Sequence, residues 1–388
     1  MKNLHMNRHQ IQLLLPILFG FFIMGFCDVV GISSSYVKQD FGLTETEANF
    51  LPSMVFIWFF AFSVPTGLLM NKIGRKNTVL VSMLFTFLAM LLPLIQYNYT
   101  ICLTAFALLG IGNTILQVSL NPLLSNVVSE EKLTSSLTAG QFVKAISSFC
   151  GPIIAACATA WFGNWQYMFP LFAAITLIST VWLLLTAVPR EQAGQNVSSF
   201  KDCFGLLGNK TVLWLFLGIV FVVGVDVGMN TVTPKILMER CGMALSEAGY
   251  GTSLYFAFRT AGAFIGAIIL ARYASGKFFL YSIFTALAAL IVLLFAQEKW
   301  LIWGGVSVIG FACANVFSIL FSFALQTVPE KANGVSGLMI MGVAGGAIIP
   351  VFMGLATEAV GSQTGATLII GLCMVYLLFC ALAFRKKH

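Results

Sequence analysis

From Ile11 onward the chain alternates long apolar stretches with short polar breaks. Twelve stretches can be marked, near residues 11–37, 48–70, 77–96, 99–127, 135–162, 166–188, 212–238, 247–271, 278–296, 300–327, 333–358 and 363–384. Each is close to or above the roughly 20 residues that carry a helix across a hydrocarbon core. They are continuous rather than alternating in polarity, which argues against lipid-facing strands of period two. The pattern predicts an all-α membrane protein of 12 transmembrane helices. The charged start MKNLHMNRHQ is like that of a signal peptide, but the run behind it is too long and has no small-residue cleavage site. It is read as a retained first helix.

The longest connection runs from Pro189 to Lys210 and splits the pattern into six helices plus six. Its apolar patch, Phe200, Phe204, Leu206 and Leu207, suggests an interfacial helix. The expected domains are an N-terminal bundle (1–188), a cytoplasmic loop (189–211) and a C-terminal bundle (212–388). The halves repeat. A shift of 198 residues pairs Asp28 with Asp226, Gly112 with Gly310, Pro152 with Pro350, Thr159 with Thr357 and Gly163 with Gly361. A shift of 200 pairs Gly42, Glu47 and Ala48 with Gly242, Glu247 and Ala248. Parallel six-helix repeats about an axis along the membrane normal are a transporter architecture.

Composition agrees with the pattern: 59% of the 388 residues are hydrophobic and 9% charged, against about a quarter charged in a soluble domain. Mean hydropathy is +0.93. With both termini inside, fifteen of the 21 Lys and Arg fall in inner tails and loops, and Lys38, Lys235, Arg240 and Lys299 fall outside. That is the positive-inside asymmetry. It accounts for the net charge of +7 without a nucleic-acid partner. The nine cysteines are scattered without ligand spacing, and the three histidines, His5, His9 and His388, are terminal. No metal site, cofactor or enzyme chemistry is expected.

Polar residues inside the helices fall at helical spacing. The fourth helix offers Asn113, Gln117 and Asn121, and the fifth Gln141, Lys144 and Ser148. The seventh offers Asp226, Asn230 and Thr233, and the tenth Asn315, Ser318, Ser322 and Gln326. Such stripes either line an aqueous cavity or hold helices together. In a cavity, amides would bond vicinal sugar hydroxyls, with Phe56, Trp58 or Tyr255 beneath the apolar sugar face. Four charges are embedded: Asp28, Lys144, Asp226 and Arg259. Each costs roughly 3 kcal/mol at the bilayer centre, so each needs a role. Asp28 either carries a proton between water and an occluded site or pairs with Lys144 or Arg259. Asp226 is a second titrating group or the partner of Arg259. Arg259 and Lys144 either neutralise these acids or clamp a substrate carboxylate.

The loop after the second helix reads GLLMNKIGRK. This resembles the loop signature of the major facilitator superfamily at Gly67, Lys72, Gly74, Arg75 and Lys76, with Asn71 in place of the usual aspartate. A decayed copy, GAIILARYASGK, follows the eighth helix. Asp28, SLNPLLSNV (119–127) and GGAIIPVFMG (345–354) are similar to the fucose–galactose–glucose:proton symporter family. The resemblance implies two rocking six-helix bundles, a proton-coupling role for Asp28, and a sugar-binding position at Gln117, where that family has a glutamate. It implies gating roles for Gly67, Gly74, Arg75 and Lys76.

The sequence therefore predicts a monomeric transporter in a bacterial inner membrane, with both termini cytoplasmic, importing a monosaccharide with protons. Sodium is the alternative coupling ion. Asp28 and Asp226 are the candidate coupling acids. Gln117, Asn121, Gln141, Lys144, Asn230, Arg259 and Asn315 are the candidate substrate contacts. Three alternatives stand beside this: import of a sugar acid such as a uronate or sialic acid, export of amphiphilic compounds, and a non-transporting sensor.

Overall fold

The computed structural model describes residues 8–43, 45–189, 200–243 and 245–386. Lys2, Arg190 and Lys387, counted above for orientation, and the histidines His5 and His388 lie outside them. Twelve helices are long and apolar enough to cross a membrane. They are α1 (Ile11–Val29), α2 (Met54–Ile73), α3 (Arg75–Ile95), α4 (Tyr99–Ser125), α5 (Glu130–Phe162) and α6 (Trp165–Leu185) in the first half. The second half has α7 (Lys210–Cys241), α8 (Tyr250–Leu270), α9 (Ser275–Phe295), α10 (Lys299–Thr327), α11 (Pro329–Val360) and α12 (Thr364–Phe384). Every apolar stretch marked in the sequence is one of them, and no strand occurs among the described residues.

Local chemistry sets the ends. Asn98 accepts a hydrogen bond from the Ile101 amide at 2.8 Å and caps α4, and Asn209 does the same for α7 from Thr211 at 2.9 Å. The repeat glycines Gly42 and Gly242, and Gly163 and Gly361, stop helices in the left-handed conformation, with φ of 61°, 62°, 73° and 74°. The sequence repeat is thus also a repeat of backbone geometry.

Two helices depart from the α-form where the sequence is unusual. α1 tightens to a 3₁₀ turn over Gly25–Val29, around Asp28, before continuing as Val30–Phe41. α11 is interrupted by another over Gly342–Ala344.

The residues pack as two compact units. The first comprises the described residues within 1–130, 140–206 and 328–341; the second comprises those within 131–139, 207–327 and 342–388. Each unit is built around a deeply buried helix, α4 in the first and α10 in the second, and these are repeat mates. Large apolar side chains such as Ile95, Leu185, Phe295 and Trp300 are exposed, as lipid-facing residues are. In the first unit the loop forms a short helix, Phe200–Gly205. It buries Cys203 against Val64, Leu68 and Met341 and leaves Phe200 and Phe204 exposed. That is the two-faced character expected of an interfacial segment.

Candidate functional site

In the first unit the site is set by a close approach of α1 and α5. A β-carbon on Gly25 would stand 2.6 Å from the Ser147 β-carbon and 2.7 Å from the Lys144 carbonyl oxygen, so only glycine fits without a shift. This contact brings Asp28, one turn on, to α5. Its carboxylate accepts from the Ser148 hydroxyl at 2.5 Å and stands 3.9 Å from the Lys144 ammonium. The Cys27 thiol donates to the other oxygen at 3.3 Å. Asp28 remains 35% exposed and Lys144 22%, so both ends of this loose pair are accessible.

The amides of α4 support this corner from behind. Gln117 donates to Asn113 at 2.7 Å, and Asn113 donates to the Met24 carbonyl at 2.7 Å, where the α-form of α1 ends. Asn121, one turn further, donates to the Gln117 carbonyl at 2.8 Å. All three are buried. Gln141, one turn before Lys144, is half-buried.

In the second unit α7 and α8 hold the other acid. Asp226 accepts from the Arg259 guanidinium at 3.0 Å and from the Tyr255 hydroxyl at 2.8 Å. Tyr255 and Arg259 are four residues apart on α8, so one helix face presents both donors. Tyr255 is fully buried, so its ring is packing and is not available beneath a sugar. Phe56 in the first unit is 45% exposed. Asn230, one turn from Asp226, is half-buried, and its carbonyl accepts from Thr252 at 3.2 Å. Asn315 is buried and donates to the Gly262 carbonyl at 2.9 Å, beside Gly266. The spacing Gly262-x-x-x-Gly266 therefore serves contact between α8 and α10, as small-residue spacing does.

The loop motif lies in the first unit. Gly74 makes the turn from α2 to α3 with φ of 84°. Arg75 is buried and donates to Asn333 at 2.8 Å, to the Pro122 carbonyl at 3.0 Å and to Asn126. Asn333 in turn donates to Asn71 at 2.8 Å, so the amide at the usual aspartate position still serves as an acceptor. Gly67 lets the backbone of Asn333 approach α2. Lys76 caps the end of α6 through the Leu184 and Thr186 carbonyls at 3.0 and 2.8 Å.

The candidate residues thus fall into separate groups: Asp28, Lys144, Gln117, Asn121 and Gln141 in the first unit, Asp226, Arg259, Asn230 and Asn315 in the second. Sequence reasoning missed Asn333, which has no local signal at the start of α11. It also missed the hydroxyl role of Tyr255, which its spacing from Arg259 would have shown. A further carboxylate was missed at one end of the first unit. Asp40 accepts from Tyr97 at 2.5 Å and from the Trp165 indole at 2.9 Å. Burial, and then this hydrogen bond, hold the Tyr97 hydroxyl well above the ordinary tyrosine range.

Comparison with known proteins bears on the whole chain. Residues 15–349 match the profile of the Major Facilitator Superfamily. A glucose/galactose transporter of Brucella abortus biovar 1 is 24% identical over 385 residues, covering 95% of this chain and 92% of that protein. The L-fucose-proton symporter of Escherichia coli K12 is 22% identical over 390 residues, covering 90% and 87%. A crystal structure of the transporter FucP in the outward conformation superposes with a TM-score of 0.86 at 19% identity, covering 98% of this chain and 100% of that one. The structural likeness bears on the fold alone.

Proposed function

The chain belongs to the Major Facilitator Superfamily of membrane transporters, and we propose that it imports a monosaccharide together with protons by alternating access. It is a multi-pass membrane protein with 12 spans and a small-molecule substrate. The names of its relatives, a glucose/galactose transporter and an L-fucose-proton symporter, support a sugar as that substrate. The proposed setting is a bacterial inner membrane with both termini cytoplasmic, the functional unit a monomer, the coupling ion a proton, and no cofactor takes part.

The observation that carries the reading is the accessible carboxylate of Asp28, loosely paired inside a transmembrane helix. A proton taken up there cancels the charge that Lys144 faces at 3.9 Å and changes the bonding of Ser148. Coupling follows if protonation and substrate together favour one conformational state. Gln141 and Asn230 have the exposure suited to contact with hydroxyls. Gln117, Asn121 and Asn315 shape the helices around them.

One observation favours a second reading, import of a sugar acid. With Asp28 protonated, Lys144 carries an uncompensated charge that a substrate carboxylate would neutralise. Arg259 is less suited to that task, since Asp226 already holds it at 3.0 Å.

The test is substrate-induced proton movement in proteoliposomes without an imposed gradient. Neutral hexoses and 6-deoxyhexoses are compared with uronic and sialic acids, in wild type and Asp28→Asn. External alkalinisation on adding a neutral sugar, lost in the variant while counterflow persists, is the expected result. A response to sugar acids alone selects the second reading. No proton movement and no counterflow with any of them refutes both.

A further inference from the structure

The second unit carries a groove of about 470 Å³ that the proposed transport cycle does not use, walled by Ala274, Lys277, Leu280, Tyr281, Arg385 and Lys386. It lies where α9 begins, at Ser275, and where α12 ends, at Phe384, and is therefore at the edge of the membrane-spanning region. Three of its six walls are cations and none is an acid. All three cations are exposed.

Three like charges around one groove repel unless an anion stands among them. A phosphate matches them well, since it takes a guanidinium in paired hydrogen bonds and an ammonium as a point charge. The remaining walls identify where that phosphate resides. Lys277, Leu280 and Tyr281 stand at spacings of three and four, so they share one face of α9. Along that face the chemistry passes from a cation at the helix start to an aliphatic and an aromatic side chain one turn deeper. Tyr281 is 70% exposed, an amphipathic ring at headgroup level. A soluble anion has no use for that apolar wall. A phospholipid has, because its glycerol and first acyl carbons lie directly below its phosphate.

We propose that this groove binds the phosphodiester headgroup of an anionic phospholipid of the surrounding membrane. Lys277, Arg385 and Lys386 hold the phosphate, and Leu280 and Tyr281 line the path of the acyl chain. Bound there, the lipid ties the end of α12 to the start of α9. The site is independent of which sugar is carried.

Native mass spectrometry of the full chain in detergent tests this, with phosphatidylglycerol, phosphatidylcholine and glycerol 1-phosphate as probes. Each cation near a membrane surface contributes roughly a factor of five in binding, so K277Q/R385Q/K386Q should weaken phosphatidylglycerol binding about a hundredfold. The same charge change made elsewhere, K201Q/K210Q/K331Q, should alter it by less than about threefold. Phosphatidylcholine should bind wild type no better than it binds the groove variant. Where the triple variant does not fold, Arg385→Gln alone should still cost about fivefold. Unchanged preference for phosphatidylglycerol in the groove variants overturns the proposal. So does glycerol 1-phosphate binding as tightly as the lipid, which would make the occupant a soluble phosphate.

Discussion

Gly25→Ala isolates the contact on which the first-unit site depends. The backbone there is not in the left-handed region, so alanine is compatible with it and, by conformational entropy, is favoured by about 0.5–1 kcal/mol. Sterics oppose this. The new carbon would meet the Ser147 β-carbon at 2.6 Å, the Lys144 carbonyl at 2.7 Å and the Ser147 hydroxyl at 2.8 Å. Ordinary contact between carbons is about 3.5–4 Å, so α1 and α5 must separate by roughly 1 Å. Overpacking of this kind costs about 1–3 kcal/mol, which set against the entropic gain leaves a net loss of up to about 2.5 kcal/mol. The same separation takes Lys144, now 3.9 Å from Asp28, out of ion-pair range and lengthens the Ser148 hydrogen bond. Gly304→Ala is the control, because nothing lies within 4 Å of the added carbon. Thermal unfolding in detergent should put Gly25→Ala roughly 1–3 °C below wild type and Gly304→Ala at or above it. Sugar-driven proton uptake should fall in the first and not in the second. If Gly25→Ala is as stable as Gly304→Ala and couples protons normally, the helix contact does not position Asp28.

Two further outcomes follow from the packing of charged and titratable groups. Asp226→Asn should destabilise by about 1–2 kcal/mol, below the cost for a fully buried pair because Arg259 is 36% exposed. A double-mutant cycle with Arg259→Gln should return most of that loss as coupling, and zero coupling refutes the pairing. Burial, and secondarily Asp202, push the Cys203 thiol up to about 11. The neutral thiol is thus favoured by the fold, so its contribution is complete below the ordinary thiol range and is lost as pH rises through about 11. In a variant retaining only Cys203, alkylation at pH 8 should be slow and rise about tenfold per pH unit. Fast labelling at pH 8 would mean the loop helix does not bury this residue.

The helices were legible because the membrane leaves no alternative: a continuous apolar run must satisfy its backbone internally, and twelve such runs are twelve helices. The glycine stops were half legible: Gly42, Gly163, Gly242 and Gly361 recur at fixed shifts, but the repeat does not say that they end helices, which their positive φ shows. Contacts between helices were not. Asn121 and Asn315 sit on polar stripes like those of Gln141 and Asn230, yet the first two are buried in helix packing and the others are half-buried. Spacing along one helix cannot tell which neighbour its face meets. Asn333 reaches Arg75 across 258 positions, and no local pattern encodes that distance.

The embedded charges show the same limit, and what resolves it. Two acids and two bases allow two pairings, and composition is indifferent between them. Packing within each unit gives Asp28 to Lys144 and Asp226 to Arg259, but not on equal terms. Asp226 is held at 3.0 Å with a fully buried tyrosine hydroxyl at 2.8 Å, whereas Asp28 faces its ammonium at 3.9 Å and is more exposed. The repeat has thus kept two aspartates at equivalent positions in different surroundings: one faces its ammonium loosely at 3.9 Å, and the other fastens α7 to α8 through a guanidinium at 3.0 Å and a tyrosine hydroxyl at 2.8 Å.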